Sequence, residues 1–178
     1  MYFLPLPQGQ GSLRPTLRLA AAPSGRLTLG ADGSLEGQFG TFEFGRGALT
    51  GRMAATLSRR VAVAAEASAG TSAGTVPVQG RWHLGGPATL RGYLGGAARG
   101  EAYWRSRAEL GYGIPVVRLV VFGDAGWAGS RARFGEGTTL TAAGIGGSFL
   151  DGLFRADLSK GLRATGGWRF DFYVDGVL

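Results

Sequence analysis

Along most of the chain, apolar and polar residues take turns. In 13–22, Leu13, Leu17 and Leu19 share one parity, with Arg14, Thr16 and Arg18 on the other. In 41–57, Leu49, Met53, Ala55 and Leu57 oppose Thr50, Arg52 and Thr56. In 61–71, Val61, Val63, Ala65 and Ala67 oppose Glu66 and Ser68. In 101–112, Trp104, Ala108, Leu110 and Tyr112 oppose Tyr103, Arg105, Arg107 and Glu109. Segments 116–127 (Leu119, Val121, Ala125 and Trp127 against Arg118, Phe122 and Asp124) and 153–162 (Phe154, Ala156, Leu158 and Leu162 against Arg155, Asp157 and Ser159) repeat the pattern. So does 168–175, with Phe170, Phe172 and Val174 against Arg169, Asp171, Tyr173 and Asp175. A period of two is the signature of a strand with one apolar and one polar face. Segment 26–37 is a weaker strand that Ala31-Asp32-Gly33 can break as a turn, and 138–149 is a glycine-rich one. The count is about nine strands of roughly ten residues, the length that crosses a bilayer when tilted.

The connections alternate in length. Those at 23–25, 58–60, 113–115 and 151–152 are tight, and Asp151-Gly152 is a hairpin signal. Those near 38–41, 72–100, 128–137 and 163–167 are mostly longer. Short turns on one rim and longer loops on the other are the habit of outer-membrane barrels, and the C-terminus then falls at the short-turn rim. Residues 1–11, rich in Pro, Gly and Gln, read as a flexible lead-in, so that 1–178 form a single barrel domain with an inward-folded loop at 72–100.

Alternation alone fits two architectures. In a soluble β-sandwich or lipocalin-like barrel the apolar parity is the core; in a membrane barrel it faces lipid. Two features favour the membrane. The polar parity mixes charges of both signs with glycine, as a crowded wet lumen does. The apolar parity carries aromatics near strand ends (Trp104, Tyr112, Trp127, Phe149), where an interfacial girdle sits. That parity is nearly free of charge; Lys160, near a strand end, is the main exception and is placed to snorkel.

Composition narrows the function. The chain has 178 residues, room for one domain, with 34 glycines in no collagen-like period and 44% hydrophobic residues. Without cysteine there is no disulfide framework and no thiolate metal site. The formal net charge is +7, but the arginines are spread at strand spacing with no basic run, so no nucleic-acid partner is expected. No stretch is apolar enough for a spanning helix. The N-terminus lacks the basic region and apolar core of a signal peptide, so an exported chain of this kind is expected to be a mature form or part of a longer one. His83 is the lone histidine, with no triad or metal set around it, and Gly95, Gly96 and Gly100 are not followed by the Lys-Ser/Thr of a phosphate loop. Neither catalysis, nor a metal, nor a cofactor is expected.

The gap at 72–100 contains Gly85-Gly86-Pro87-Ala88-Thr89-Leu90-Arg91-Gly92-Tyr93. Taken by itself, Arg91 reads as an exposed loop arginine, with Glu109 and Asp124 pairing instead with Arg105, Arg107 and Arg118. The stretch resembles, however, the loop motif of the BamA/TamA superfamily of outer-membrane assembly and secretion barrels (the bacterial surface-antigen type, shared with two-partner-secretion transporters). The family pattern is Leu-Gly-Gly, a spacer, then Val-Arg-Gly-Phe or Tyr; here Leu90 stands for the valine. Residues 107–112, 121–126 and 151–158 resemble the family's following strands. The resemblance is close over 79–178 and looser over 13–71.

The resemblance implies an all-β antiparallel transmembrane β-barrel in the bacterial outer membrane, of which this chain is the C-terminal half of a sixteen-stranded whole. On the residue count alone a small eight- or ten-stranded barrel stays open. The resemblance also implies polypeptide substrates, a lipid bilayer as partner, and periplasmic repeat domains or further barrel strands. The alternative is a structural or anchor barrel without insertase activity. It carries a loop pin to Arg91, Gly92 and Tyr93, with Glu109 and Asp124 as wall partners. A guanidinium's five donors match two carboxylates, which lysine does not reproduce. A neighbouring arginine also keeps both carboxylates ionised, which is wrong for a general acid. Finally, 167–174 resembles the family's C-terminal β-signal, at Gly167, Phe170, Phe172 and Val174. The family ends on an aromatic residue, whereas this chain continues to Leu178.

Overall fold

A computed structural model describes residues 11–13, 16–19, 27–38, 43–114, 116–150, 153–163 and 165–174. The turns expected at 23–25 and 151–152, and nearly all of the 1–11 lead-in, lie outside the described residues. The chain forms β1 (Gly11–Leu13), β2 (Thr16–Leu19), β3 (Leu27–Gln38), β4 (Phe44–Thr56), β5 (Val61–Gly74), β6 (Trp82–Leu84) and β7 (Ala98–Gly100). It continues with β8 (Ala102–Ile114), β9 (Val117–Gly129), β10 (Leu140–Phe149), β11 (Phe154–Gly161) and β12 (Trp168–Val174).

All strands but β6 and β7 join one antiparallel sheet in the order β3-β4-β5-β8-β9-β10-β11-β12, with β1 and β2 both pairing along the outer edge of β3. The strand expected at 13–22 therefore appears as two short segments. The rest is a meander of hairpins, broken once by the loop between β5 and β8, which carries the β6–β7 hairpin. Among the described residues no pairing joins β12 back to β1, β2 or β3, so the sheet is an open portion of a barrel wall. The turn considered at Ala31-Asp32-Gly33 does not form. β3 runs straight through it, with Ala31 opposite Gly51 and Asp32 opposite Thr50. There Asp32 takes an ion pair from Arg52, and an acid paired across a ladder has no call to bend the chain.

The two faces are partitioned the opposite way to a soluble protein. Leu35, Leu49, Leu110, Leu119, Val121, Ile145 and Phe170 are each more than half exposed. Among the described residues the largest fully enclosed side chains are Arg91, Tyr93, Leu84, Leu90, Asp157 and Ser159, most of them polar. A contiguous exposed apolar surface of this extent marks a face made for another apolar phase. With strands of 12 to 14 residues in β3, β4, β5, β8 and β9, that phase is the hydrocarbon core of a bilayer. Lys160, the charge on the outer parity, lies 5.3 Å from the Trp168 ring, a cation–π contact that holds it near the rim.

One expected girdle residue is placed differently. Trp127 is not lipid-facing: only 3% exposed, it packs edge-on against Phe134 (5.1 Å) and donates its indole N–H to the Glu136 carbonyl. The 130–139 connection folds over it, which period-two reasoning along β9 does not register.

Val121, outward on β9, tests the lipid assignment. Val121→Arg is expected to destabilise the protein in lipid by about 2–4 kcal/mol, the depth-dependent cost of a charge against hydrocarbon. Ser130→Arg, in an exposed loop, is expected to cost less than about 0.5 kcal/mol. Denaturant titration in lipid vesicles measures both.

Candidate functional site

The loop between β5 and β8 folds onto the polar face of the sheet. Its β6–β7 hairpin pairs Trp82 with Gly100 and Leu84 with Ala98, and the Trp82 ring packs, tilted by 39°, against Tyr103 of β8 at 4.6 Å. Beyond β6 the chain turns at Gly85 and Gly86, both at positive φ (128° and 84°), where a side chain is strained. Thr89 Oγ1 accepts from the Gly85 N–H and donates to the Gly85 carbonyl, each at 2.8 Å, and the Gly86 N–H donates to the Tyr93 carbonyl (2.8 Å). The tip is therefore closed on itself by its own polar groups before it meets the wall.

Leu90 and Tyr93 flank Arg91 and are themselves buried, packing with Leu140 and Ala142 of β10. The Tyr93 hydroxyl donates to the Thr141 carbonyl (2.8 Å) and accepts from the Arg163 N–H (3.1 Å). Gly92, at φ 78°, lies so close to β11 that an added Cβ would stand 2.5 Å from the Gly161 nitrogen. These contacts leave Arg91 one direction, toward the barrel wall.

There the guanidinium is wholly enclosed. Its Nε and Nη2 donate to the two Asp124 oxygens at 2.8 and 2.6 Å, a bidentate pair, and its own backbone N–H adds a bond to Oδ2 at 3.1 Å. Nη1 donates to Glu109 Oε1 at 2.6 Å and to Asp157 Oδ2 at 3.3 Å. The plane also lies 3.5 Å from the centre of the Phe122 ring, a cation–π contact strengthened by desolvation. Burial by itself would lower the guanidinium's pKa. The hydrogen bond and charge of Asp124, then those of Glu109, outweigh burial and hold it above the ordinary arginine value, so the group stays charged at every working pH.

The set extends around the wall. Arg155 of β11 pairs with Glu109 (3.0 and 3.2 Å) and with Asp157 (3.2 Å), and the Tyr173 hydroxyl of β12 donates to Asp157 at 2.7 Å. Arg107 Nε approaches Asp124 at 3.7 Å, and Arg107 Nη2 donates to the Pro87 carbonyl of the loop (2.7 Å). Three arginines thus face three carboxylates, contributed by the loop, β8, β9 and β11. The strand between β9 and β11 makes room for them. A Cβ at Gly146 would collide with Asp157 Oδ1, and one at Gly144 with the Phe122 ring. Every carboxylate here is held by at least one guanidinium. Among the described residues no His, Cys, Asp or Glu group is gathered for a metal ion, and His83 is an exposed member of β6.

The structure thus brings Arg91, Glu109 and Asp124 into contact and places Gly92 against β11 and Tyr93 against β10 beside them. It does not bring Gly167, Phe170, Phe172 or Val174 to this cluster. Gly167 precedes β12, and Phe170, Phe172 and Val174 point outward from it, 70%, 64% and 61% exposed. Sequence reasoning passed over Asp157, Arg155 and Tyr173 as site members. Each lies on the polar parity of its strand, and that parity, together with Phe122 as an aromatic on the polar side, is the signal that marks them.

No protein-family model matches the sequence, and no curated protein matches it either. Solved structures do match. BamA from Haemophilus ducreyi, in a form lacking POTRA domains 1–3, aligns with a TM-score of 0.67 at 16% identity, over 90% of this chain and 41% of that one. The fold is that of a BamA/TamA-type barrel. CdiB from Acinetobacter baumannii aligns with a TM-score of 0.50 at 14% identity, over 92% of this chain and 41% of that one. The chain therefore spans well under half the length of either BamA-type structure, in keeping with the open sheet and with a partial barrel.

Removing Arg91 from this BamA-type wall leaves Asp124 and Asp157 enclosed without their shared cation. Arg91→Ala is expected to destabilise by about 3–5 kcal/mol, the cost of breaking a buried ionic set, and to expose residues 85–95 to protease. Arg91→Lys is expected to recover little, because an ammonium cannot span Asp124 bidentately while reaching Glu109. Denaturant midpoints in detergent and limited proteolysis read these effects. A separate comparison isolates the glycines of β10. Gly146→Ala is expected to cost at least about 1–3 kcal/mol through overpacking. Gly51→Ala, where an added Cβ meets nothing within 4 Å, is expected to be near neutral.

Proposed function

We propose that the chain, 1–178, is one membrane-embedded unit of an outer-membrane barrel of the polypeptide-assembly or translocation type, located in the bacterial outer membrane. The observation that carries this reading is the inward-folded loop: a buried arginine clamped bidentately by a wall carboxylate, inside a sheet of BamA-type fold. Arg91, Gly92 and Tyr93 serve as the pin, and Glu109, Asp124 and Asp157 as its receptor. Gly167, Phe170, Phe172 and Val174 form the C-terminal recognition strand, an outward apolar row on the last described strand, suited to being read by an assembly factor during insertion.

The role of the pin is architectural. It holds a loop across the lumen by ionic and aromatic contacts and contributes no reacting group, so the function is transport or assembly and not catalysis. The open edges bear on partners. Unpaired backbone groups in hydrocarbon cost several kcal/mol each, so closure in lipid draws on strand pairing beyond that seen among the described residues. Further barrel strands, periplasmic repeat domains and a polypeptide client are the partners this reading calls for.

Reconstitution tests it. The full chain is refolded into vesicles and its incorporation checked by heat-modifiable gel mobility. An unfolded outer-membrane barrel protein is then added, and its folding is expected to be faster than with empty vesicles. Incorporation with heat-modifiable mobility but no acceleration would point to an anchor barrel instead. Folding as a soluble monomer without detergent would remove the membrane reading altogether.

A further inference from the structure

Between the Arg91 cluster and the short-turn rim, the polar face holds a half-open cavity of about 210 Å³. It is lined by Arg118, Arg155, Ser148 and Glu109, with Ala64 and Val120 among its apolar walls. Arg118 stands out in the charge pattern. Arginines 46, 52, 105, 107, 155 and 169 on the long strands each lie within 4 Å of a carboxylate. Arg118 has no such partner and no side-chain hydrogen bond among the described residues, and its Nε is enclosed and unpaired. The neighbouring cluster already balances three arginines against three carboxylates, so the charge on Arg118 is surplus.

Its position is nevertheless built. The Arg118 side chain fills the space that a Cβ at Gly111 would need, so it lies across β8 and toward the cavity. Its cross-strand partner on β10 is Ser148, only 7% exposed. Arg155, 6% exposed, lines the same cavity and keeps its own Nε unpaired while its other nitrogens hold Glu109 and Asp157. Enclosed donors of this kind are costly unless a ligand or water satisfies them.

We propose that this cavity is a binding site for an aliphatic carboxylate, taken by the Arg118 fork with Ser148 and the free Arg155 Nε beside it. Two features select that class. A guanidinium fork matches a planar carboxylate through two parallel bonds. The volume lies below the ~300 Å³ at which sites for drug-sized molecules begin, and the alanine and valine walls suit a short alkyl stem better than a fully hydrated anion. Glu109 also lines the cavity, but its charge is engaged by Arg91 and Arg155. The carboxylate arrives either on a peptide, as an acidic side chain or C-terminus, or as a free small acid; only the peptide source rests on the polypeptide-handling reading.

Titration of the refolded full chain in detergent micelles, in low-chloride buffer and followed by calorimetry, decides it. The probes are propionate, N-acetyl-Gly-Ala as the free acid, the same peptide as its amide, and inorganic phosphate. The free acids are expected to bind and the amide to bind at least about tenfold more weakly, the loss of a charge-assisted pair. Arg118→Gln is expected to weaken acid binding by a similar factor while leaving heat-modifiable mobility intact. Ala64→Leu, which narrows the cavity without touching a charge, is expected to do the same. Tighter binding of the peptide acid than of propionate assigns the site to polypeptides, and equal binding assigns it to a small acid; either supports the site. No binding, equal binding of acid and amide, a preference for phosphate, or insensitivity to both variants overturns it.

Discussion

A cation with no access to water is tolerable only where its surroundings are already arranged for it, and Arg91 imposes that condition on the whole polar face. Asp124 must present both oxygens from β9, Glu109 must reach from β8, and Asp157 must lean in from β11. Those three anions would repel one another without the guanidinium, and Arg155 and Arg107 complete the neutralisation. The loop tip is constrained from the other side, since Leu90 and Tyr93 must be buried for Arg91 to arrive at all. Burying such a set contributes little net stability against an apolar alternative, but breaking it is expensive. Its benefit is selectivity: one loop conformation satisfies it, and a displaced loop leaves three acids facing two cations, with Asp124 keeping only the distant Arg107.

That arrangement presupposes an inverted protein. The charges can gather because the face they occupy is enclosed by a curved wall and a loop, while Leu110, Leu119, Val121 and Ile145 point away. In water those side chains would drive aggregation; against hydrocarbon they are at rest. The same inversion settles the architecture that alternation leaves undecided. A soluble sandwich would put the valine–leucine parity inside, and here the enclosed parity holds Arg155, Asp157 and Ser159.

Much of this was legible in the residues. The period of two assigned faces to β8, β9, β11 and β12, whereas the neighbourhood of Arg91, Glu109 and Asp124 came from the loop's resemblance to a family motif, the residues alone reading Arg91 as exposed. The geometry places the three within hydrogen-bonding reach. What escaped has physical reasons. Asp157 sits two strands from Asp124, and contact between non-adjacent strands depends on wall curvature and on what the intervening strand omits. Trp127 looked outward because parity is a property of the strand, whereas the 130–139 loop that covers it is not periodic. Ala31-Asp32-Gly33 looked like a turn because its residue types favour one, yet an unbroken ladder to β4 and the Arg52 contact outweigh that local preference.

The glycines of β10 connect these points. Read along the chain they weaken a strand, since glycine has the most freedom to lose and no side chain to pack. Read across the sheet, Gly144 is where the Phe122 ring lies and Gly146 is where Asp157 enters. Ala142, the next inward position, packs under Leu90 and Tyr93. The inward row of β10 from 142 to 146 is therefore a groove cut to the shape of its neighbours' side chains. Gly111 does the same for Arg118. On the polar face of this wall, Gly111, Gly144 and Gly146 are thus each the trace of a large or charged side chain arriving from another strand, and those arrivals mark both the surroundings of Arg91 and Arg118, the arginine with no acid within reach among the described residues.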